Sequence, residues 1–143
     1  MKEQTPMGRF SVQFVVANNR DVMQVADGVP IPEGVKHLVL SGVVDSGAAR
    51  LVLPQRAVDE LRLQGHGETT VRYADGRRDS RPVVSNVWLQ LLGRDGVFSA
   101  VVEPDRPDAL IGAIVLEELD LMVDCTTQTL RPREPGSILT EIE

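Results

Sequence analysis

The sequence predicts a mainly β protein of about nine short strands and two short helices. Three observations predict it. Apolar and polar residues alternate over many short windows, the period of a half-buried strand. Gly, Pro, Asp and Asn punctuate those windows at short intervals, as turns between strands require. Only two short windows carry apolar residues at helical spacing. The 143 residues suit one domain, and a chain of that size buries enough surface to fold without a metal or disulfide staple. Aromatic residues make up only 3% of the chain, so Val and Leu must fill the core.

Residues 1–8 are expected to form a tail ahead of a single domain over residues 9–143. In RFSVQFVVA, Phe10, Val12, Phe14 and Val16 share one face of a strand. DVMQVADG continues as a second strand, and VPIPEG is a Pro/Gly connector. VKHLVLSGVV is more continuously apolar, which predicts a strand buried on both faces. LVLP is a short strand, after which Pro54 fits the first turn of a helix over QRAVDELRL, with Ala57, Val58 and Leu61 on one side. LQGHG reads as a loop containing His66. TTVRYADGRRDSRPVVSNVWLQLL reads as two strands joined at ADGRR, with Trp88 packed in the sheet and Arg77 and Arg78 at a solvated tip. GRDG is a tight turn into the strand VFSAVVE, and EPDRPD is a loop. ALIGA is a strand ending at Gly112, and IVLEEL is a short helix. DLMVDCTTQTLRPRE forms a hairpin with Cys125 as a small buried hydrophobe. SILTEIE alternates again.

Several function classes are excluded or disfavoured. The net charge of −6 argues against a nucleic-acid surface. No apolar run approaches the ~20 residues of a membrane helix. The first residues, MKEQTPMGRF, hold no signal-peptide core. Cys125 is the only cysteine, which fits a reducing compartment, and a cytoplasmic setting is expected. His37 and His66 stand beside no Cys or carboxylate cluster, so neither a metal site nor a cofactor is expected. A phosphate loop of the Walker type is absent. A nucleophile elbow would need Gly two places either side of Ser46, where Val44 and Ala48 stand.

The stretch VVDSGAARLVLP is the exception to ordinary strand patterning, because an apolar strand runs straight into Asp45. A turn Asp is one reading. A phospho-acceptor or metal-binding Asp is another, but those folds alternate strands with full-length helices, which this chain lacks. A third is an acid-protease Asp, in which Asp-Ser-Gly aims a carboxylate into a cleft.

VVDSGAARLVLP, YADGR and ALIGAIVLEELDLMVDC, in that order and spacing, resemble the retropepsin-type aspartic proteases, nearest to small bacterial proteins of that kind. The resemblance spans roughly residues 9–134. It implies a closed, barrel-like β fold and a peptidase in which Asp45 is catalytic. It implies that Ser46, Gly47 and Ala48 support the active-site loop, the Ser46 hydroxyl reaching the partner's loop. Tyr73, Ala74, Asp75 and Gly76 would be a flap over an extended peptide. Leu110, Ile111 and Gly112 would be the strand passing beside the Asp loop. Enzymes of this class use two carboxylates that share a proton and activate a water. One Asp-Ser-Gly in one short chain therefore implies a homodimer with its two-fold axis between two copies of Asp45. A non-catalytic dimerising or peptide-binding module on the same fold is the alternative.

The chain departs from the retroviral pattern. Relatives there pair an Asp near the motif Ala with an Arg directly after the later Gly. Here those places hold Ala49 or Arg50 and Ala113, so apolar packing is expected to replace the pair. Where pepsin-type relatives usually carry Ser or Thr, Ala48 offers no hydroxyl to the carboxylate. Activity is therefore expected to peak at mildly acidic pH, roughly 5 to 6.

Overall fold

The computed structural model describes residues 9–143, and the tail expected over residues 1–8 lies outside the described residues. Nine strands and three short helices follow one another: β1 Arg9–Asn18, α1 Asn19–Val22, β2 His37–Asp45, β3 Leu51–Pro54, α2 Gln55–Leu61, β4 Gly65–Arg72, β5 Arg78–Leu91, β6 Arg94–Glu103, β7 Ala109–Ile111, α3 Ala113–Glu118, β8 Leu121–Asp124 and β9 Thr129–Pro132.

Six strands close on themselves in the order β1-β2-β7-β3-β6-β5, with β5 returning to β1. Closure removes open edges from those six strands. Two contacts are parallel, β2 with β7 and β3 with β6. β5 is long enough for two tasks. Its second half pairs with β6 and β1, while its first half pairs with β4 outside the barrel. The β4–β5 hairpin therefore projects from the closed body. Leu51, Leu53, Leu89, Ile111 and Leu119 are fully buried inside it, so aliphatic side chains do fill the core.

Five local expectations are corrected. DVMQVADG is not a strand. The Asn18 side chain accepts a hydrogen bond from the Arg20 N–H at 3.0 Å, capping α1 and ending β1. Met23 is then 78% exposed, so the alternation of that segment has no sheet to face. VKHLVLSGVV is buried on one face only: Leu40, Gly42 and Val44 face the core, but Val39 is exposed, since among the described residues no layer covers the barrel's outside there. His66 lies at the irregular start of β4 rather than in a loop. Cys125 is exposed in the turn between β8 and β9, where the Asp124 carboxylate accepts the N–H groups of Thr126 and Thr127. SILTEIE forms no strand and stays exposed, having no partner strand among the described residues.

Smaller shifts follow turn chemistry. Pro54 closes β3 and stands at the N-cap of α2, just ahead of the helix. The turn before β6 falls at Leu92 and Gly93, both at positive φ as a tight hairpin needs. This releases Arg94 into β6, where it is buried. Its guanidinium donates to the carbonyls of Leu119, Asp120, Glu134 and Gly136 at 2.6 to 3.0 Å. A buried cation is tolerated when its donors are matched in this way. Arg94 thus ties the end of α3 and the base of the C-terminal segment to the barrel.

Candidate active site

β2 alternates cleanly into its last residue, so Asp45 emerges at the rim of the barrel with its side chain 23% exposed. The chain then turns: Ala48 N–H donates to the Asp45 carbonyl at 3.1 Å, with Ser46 exposed at the tip. Asp45 Oδ1 accepts the Gly47 N–H at 3.0 Å, which fixes the carboxylate over its own turn. Gly47 makes this turn without a positive φ. Its requirement is space, since a Cβ there would sit 3.3 Å from Asp45 Oδ1.

The loop is held from below by β7 and α3. Val44 stands beside Ile111 in the parallel ladder. Ala113 N–H donates to the Ala48 carbonyl at 2.8 Å, and Ile114 N–H to the Ala49 carbonyl at 3.0 Å. The first N–H groups of a helix lack intrahelical partners, and here the Asp45 loop supplies them. Backbone hydrogen bonds, rather than the expected apolar packing, join these segments, and Ala49 is exposed. Gly112 is required by contact. A Cβ on it would meet Arg50 O at 2.5 Å and Ala48 O at 2.8 Å. Ile111 points into the core with no exposure, whereas Leu110 faces outward toward the loop's other side.

That side is a groove of about 330 Å³, whose lining includes Ala48, Ala49, Leu110 and Tyr73. The structure thus brings together the Asp45 loop, the strand beside it and the base of the β4–β5 hairpin. Asp45 borders the groove without lining it. Ala74, Asp75 and Gly76 form the exposed hairpin tip, where Asp75 accepts the Arg77 N–H and Gly76 sits at φ +86°. Of the four hairpin residues, Tyr73 alone reaches the groove.

Three partners were not legible in the sequence. Arg9 Nε lies 3.4 Å from Asp45 Oδ2, because β1 and β2 pair with Arg9 opposite Asp45. The long segment between those strands hides that register from sequence reading. Arg81 Nε donates to Glu103 at 2.5 Å and its other arm reaches Asp79 at 3.1 Å. These carboxylates hold the Arg81 proton well above the ordinary guanidinium range, the Glu103 hydrogen bond foremost. Tyr73 stands beside the same Glu103, under the Arg77 guanidinium at 4.5 Å from the ring centroid. Trp88 is buried as expected, its indole N–H directed to Asp95 at 3.3 Å. Among the described residues, no group of three or more His, Cys, Asp or Glu is arranged to hold a metal, and no helix is long and apolar enough to cross a membrane.

Residues 33–115, more than half of the chain, match a family model described as aspartyl protease. The chain belongs to that family. A solved structure described as EIAV protease complexed with the inhibitor HBY-793 is similar at 22% identity, covering 57% of this chain and 77% of that one, with a TM-score of 0.49. The comparison with curated proteins gives no match.

Gly112→Ala is expected to destabilise the protein by about 3 kcal/mol, since the methyl group meets backbone and not a flexible side chain. Urea unfolding of both proteins measures this, and an unchanged midpoint would show that the loop does not cross Gly112 as described.

Tyr73 is expected to ionise above its ordinary value of 10.0, because the neighbouring Glu103 carboxylate favours the neutral phenol. A folded value above the unfolded one contributes stability that is present below pH 10 and lost as pH rises through the folded value. Tyr73 is the only tyrosine, so absorbance titration reads it alone. Glu103→Gln is expected to move the midpoint down, and an unmoved midpoint would remove Glu103 as the cause.

Proposed function

We propose that the protein is a homodimeric aspartic endopeptidase, with a water activated between two Asp45 carboxylates, one from each subunit. The observation that carries this reading is the Asp45 turn itself. A solvent-reachable carboxylate is pinned by the Gly47 N–H, and its loop is locked to Ala113 and Ile114 beside a groove wide enough for side chains. Such fixed placement is what acid–base work on water requires. One carboxylate of the pair holds a proton and the other accepts one from the attacking water, an arrangement known for aspartic proteases as a class.

In this reading Ser46, at the exposed turn tip, meets the partner's turn across the two-fold axis. Gly47 and Ala48 keep the carboxylate in place. The hairpin over Tyr73, Ala74, Asp75 and Gly76 covers an extended peptide, with Tyr73 against it. Leu110 borders the peptide, while Ile111 and Gly112 support the loop from beneath. The protein works as one domain over residues 9–143, in the cytoplasm, with no cofactor.

Asp45→Asn is expected to abolish cleavage of a diverse peptide library between roughly pH 3 and 7 while the dimer persists, because the change is close to isosteric and removes like charges at the axis. Cleavage assays with sedimentation on both proteins measure this. Residual turnover in a clean preparation of the variant would exclude Asp45 as the catalyst.

The C-terminal segment exposes Ile138, Leu139 and Ile142 and pairs with no strand among the described residues. In a dimer it would add strands to the subunit interface. Truncation after Ser137 leaves both carbonyls that Arg94 binds, Glu134 and Gly136, in place. This truncation is expected to weaken the dimer and any activity together. An unchanged sedimentation profile would take the segment out of the interface.

A further inference from the structure

We infer that the groove beside the Asp45 loop selects peptides with an acidic side chain next to an apolar one, an inference that rests on the peptidase reading above. The chain as a whole carries a net charge of −6. The groove reverses that sign. Its apolar floor is built by Val52, Val71 and Leu110, and its rim by Arg50, Arg72 and Arg106.

Among the described residues none of these three arginines forms an ion pair with a carboxylate. Arg50 gives one arm to the Ser99 hydroxyl, and Arg106 donates its Nε to the Asp108 carbonyl. Glu103, the one acidic residue of the lining, is already bound by Arg81 at 2.5 Å. The adjoining recess of about 230 Å³, which shares Tyr73, Glu103 and Arg106 with the groove, adds Arg77 and Arg81 against a further carboxylate, Asp105. Cations therefore outnumber uncommitted acids along the whole wall.

The hairpin keeps this charge at a cost. Arg72 stands directly opposite Arg78 in the β4–β5 ladder, and like charges placed so are destabilising. An anion laid along the groove would relieve that repulsion. The guanidinium fork matches a carboxylate in a bidentate, charge-assisted way. An extended peptide sends neighbouring side chains in different directions. One apolar side chain then fills the floor while a Glu or Asp nearby reaches the rim. Phosphate-bearing side chains share the charge, but the carboxylate is the occupant assigned here.

The test uses the full-length protein and pairs of peptides that differ only by Glu or Gln at each position around an apolar centre. Cleavage is followed at low and high salt. Binding of the same labelled peptides to the Asp45→Asn protein is followed by fluorescence anisotropy. At one or two positions Glu is expected to exceed Gln roughly tenfold, the size of one charge-assisted hydrogen bond at a partly exposed site. The advantage should shrink with salt. Arg50→Gln and Arg72→Gln should bring the Glu-to-Gln ratio toward one, while the corresponding Lys variants, which keep the charge and guard against a folding defect, should retain part of it. Equal handling of Glu and Gln in both cleavage and binding overturns the inference. So does an acidic preference that survives in a protein with Gln at positions 50, 72 and 106. Cleavage without preference would leave the peptidase reading standing and this one fallen. Arginine-dependent binding without cleavage would do the reverse.

Discussion

The crossing of the Asp45 turn over Gly112 is the contact on which the rest of the site depends. Two backbone hydrogen bonds, from Ala113 to Ala48 and from Ile114 to Ala49, join segments more than sixty residues apart in sequence. They settle two demands at once. The exposed start of α3 has N–H groups that need acceptors, and the turn after β2 has carbonyls that need donors. The crossing is close enough to exclude any Cβ at residue 112. Because β7 is parallel to β2 and antiparallel to β3, the same three-residue strand seats both ends of the loop. The position of Asp45 is thus determined by the barrel, with little freedom left to the turn.

Charge is arranged around this point in a way that composition conceals. An acidic chain gathers Arg50, Arg72 and Arg106 along the groove and Arg77 and Arg81 beside it. Arg81 is held by Glu103 and Asp79, Arg77 lies on Tyr73, and Arg9 stands against Asp45. Arg94 is used differently, buried among four carbonyls with structural work only. Pairs that are half exposed, such as Arg9 with Asp45, contribute little to stability. Their effect is on local potential, which acts on what approaches the site.

How much of this could be read from residues alone follows from the range of each interaction. Strand alternation in β1, the hairpin at residues 73–78, and the helix over Ala57, Val58 and Leu61 are local patterns, and they were legible. So was the closed barrel, through the resemblance that those motifs carry to the retropepsin-type proteases. The segment after Asn18 was misread because one side-chain cap outweighed an apolar alternation. Cys125 was misread because the turn chemistry of Asp124 placed it outside the strand. The pairing of Arg9 with Asp45, and the gathering of Arg50, Arg72 and Arg106 on one rim, depend on register and on barrel closure. Neither leaves a signature in sequence spacing. Gly47 was legible as a turn residue, and the structure adds the closeness of the carboxylate that it faces.

A site built on one carboxylate per chain places a physical condition on assembly. Two Asp45 turns brought to one axis add like charges at short range, and something must offset them. A shared proton is one offset. Arg9 is a second, since a guanidinium already stands 3.4 Å from each carboxylate before the turns meet. The half-exposed Ile114, at the start of α3 and hydrogen-bonded to the same loop, would supply apolar surface beside the turn in the proposed dimer. Burying such surface favours association by roughly 25 cal/mol for each Å² removed from water. In the proposed dimer, apolar contact from α3 and the C-terminal segment would therefore draw together two turns whose charges alone would keep them apart. The carboxylates would be positioned by forces that act elsewhere on the chain, which leaves their own protonation free to serve the reaction.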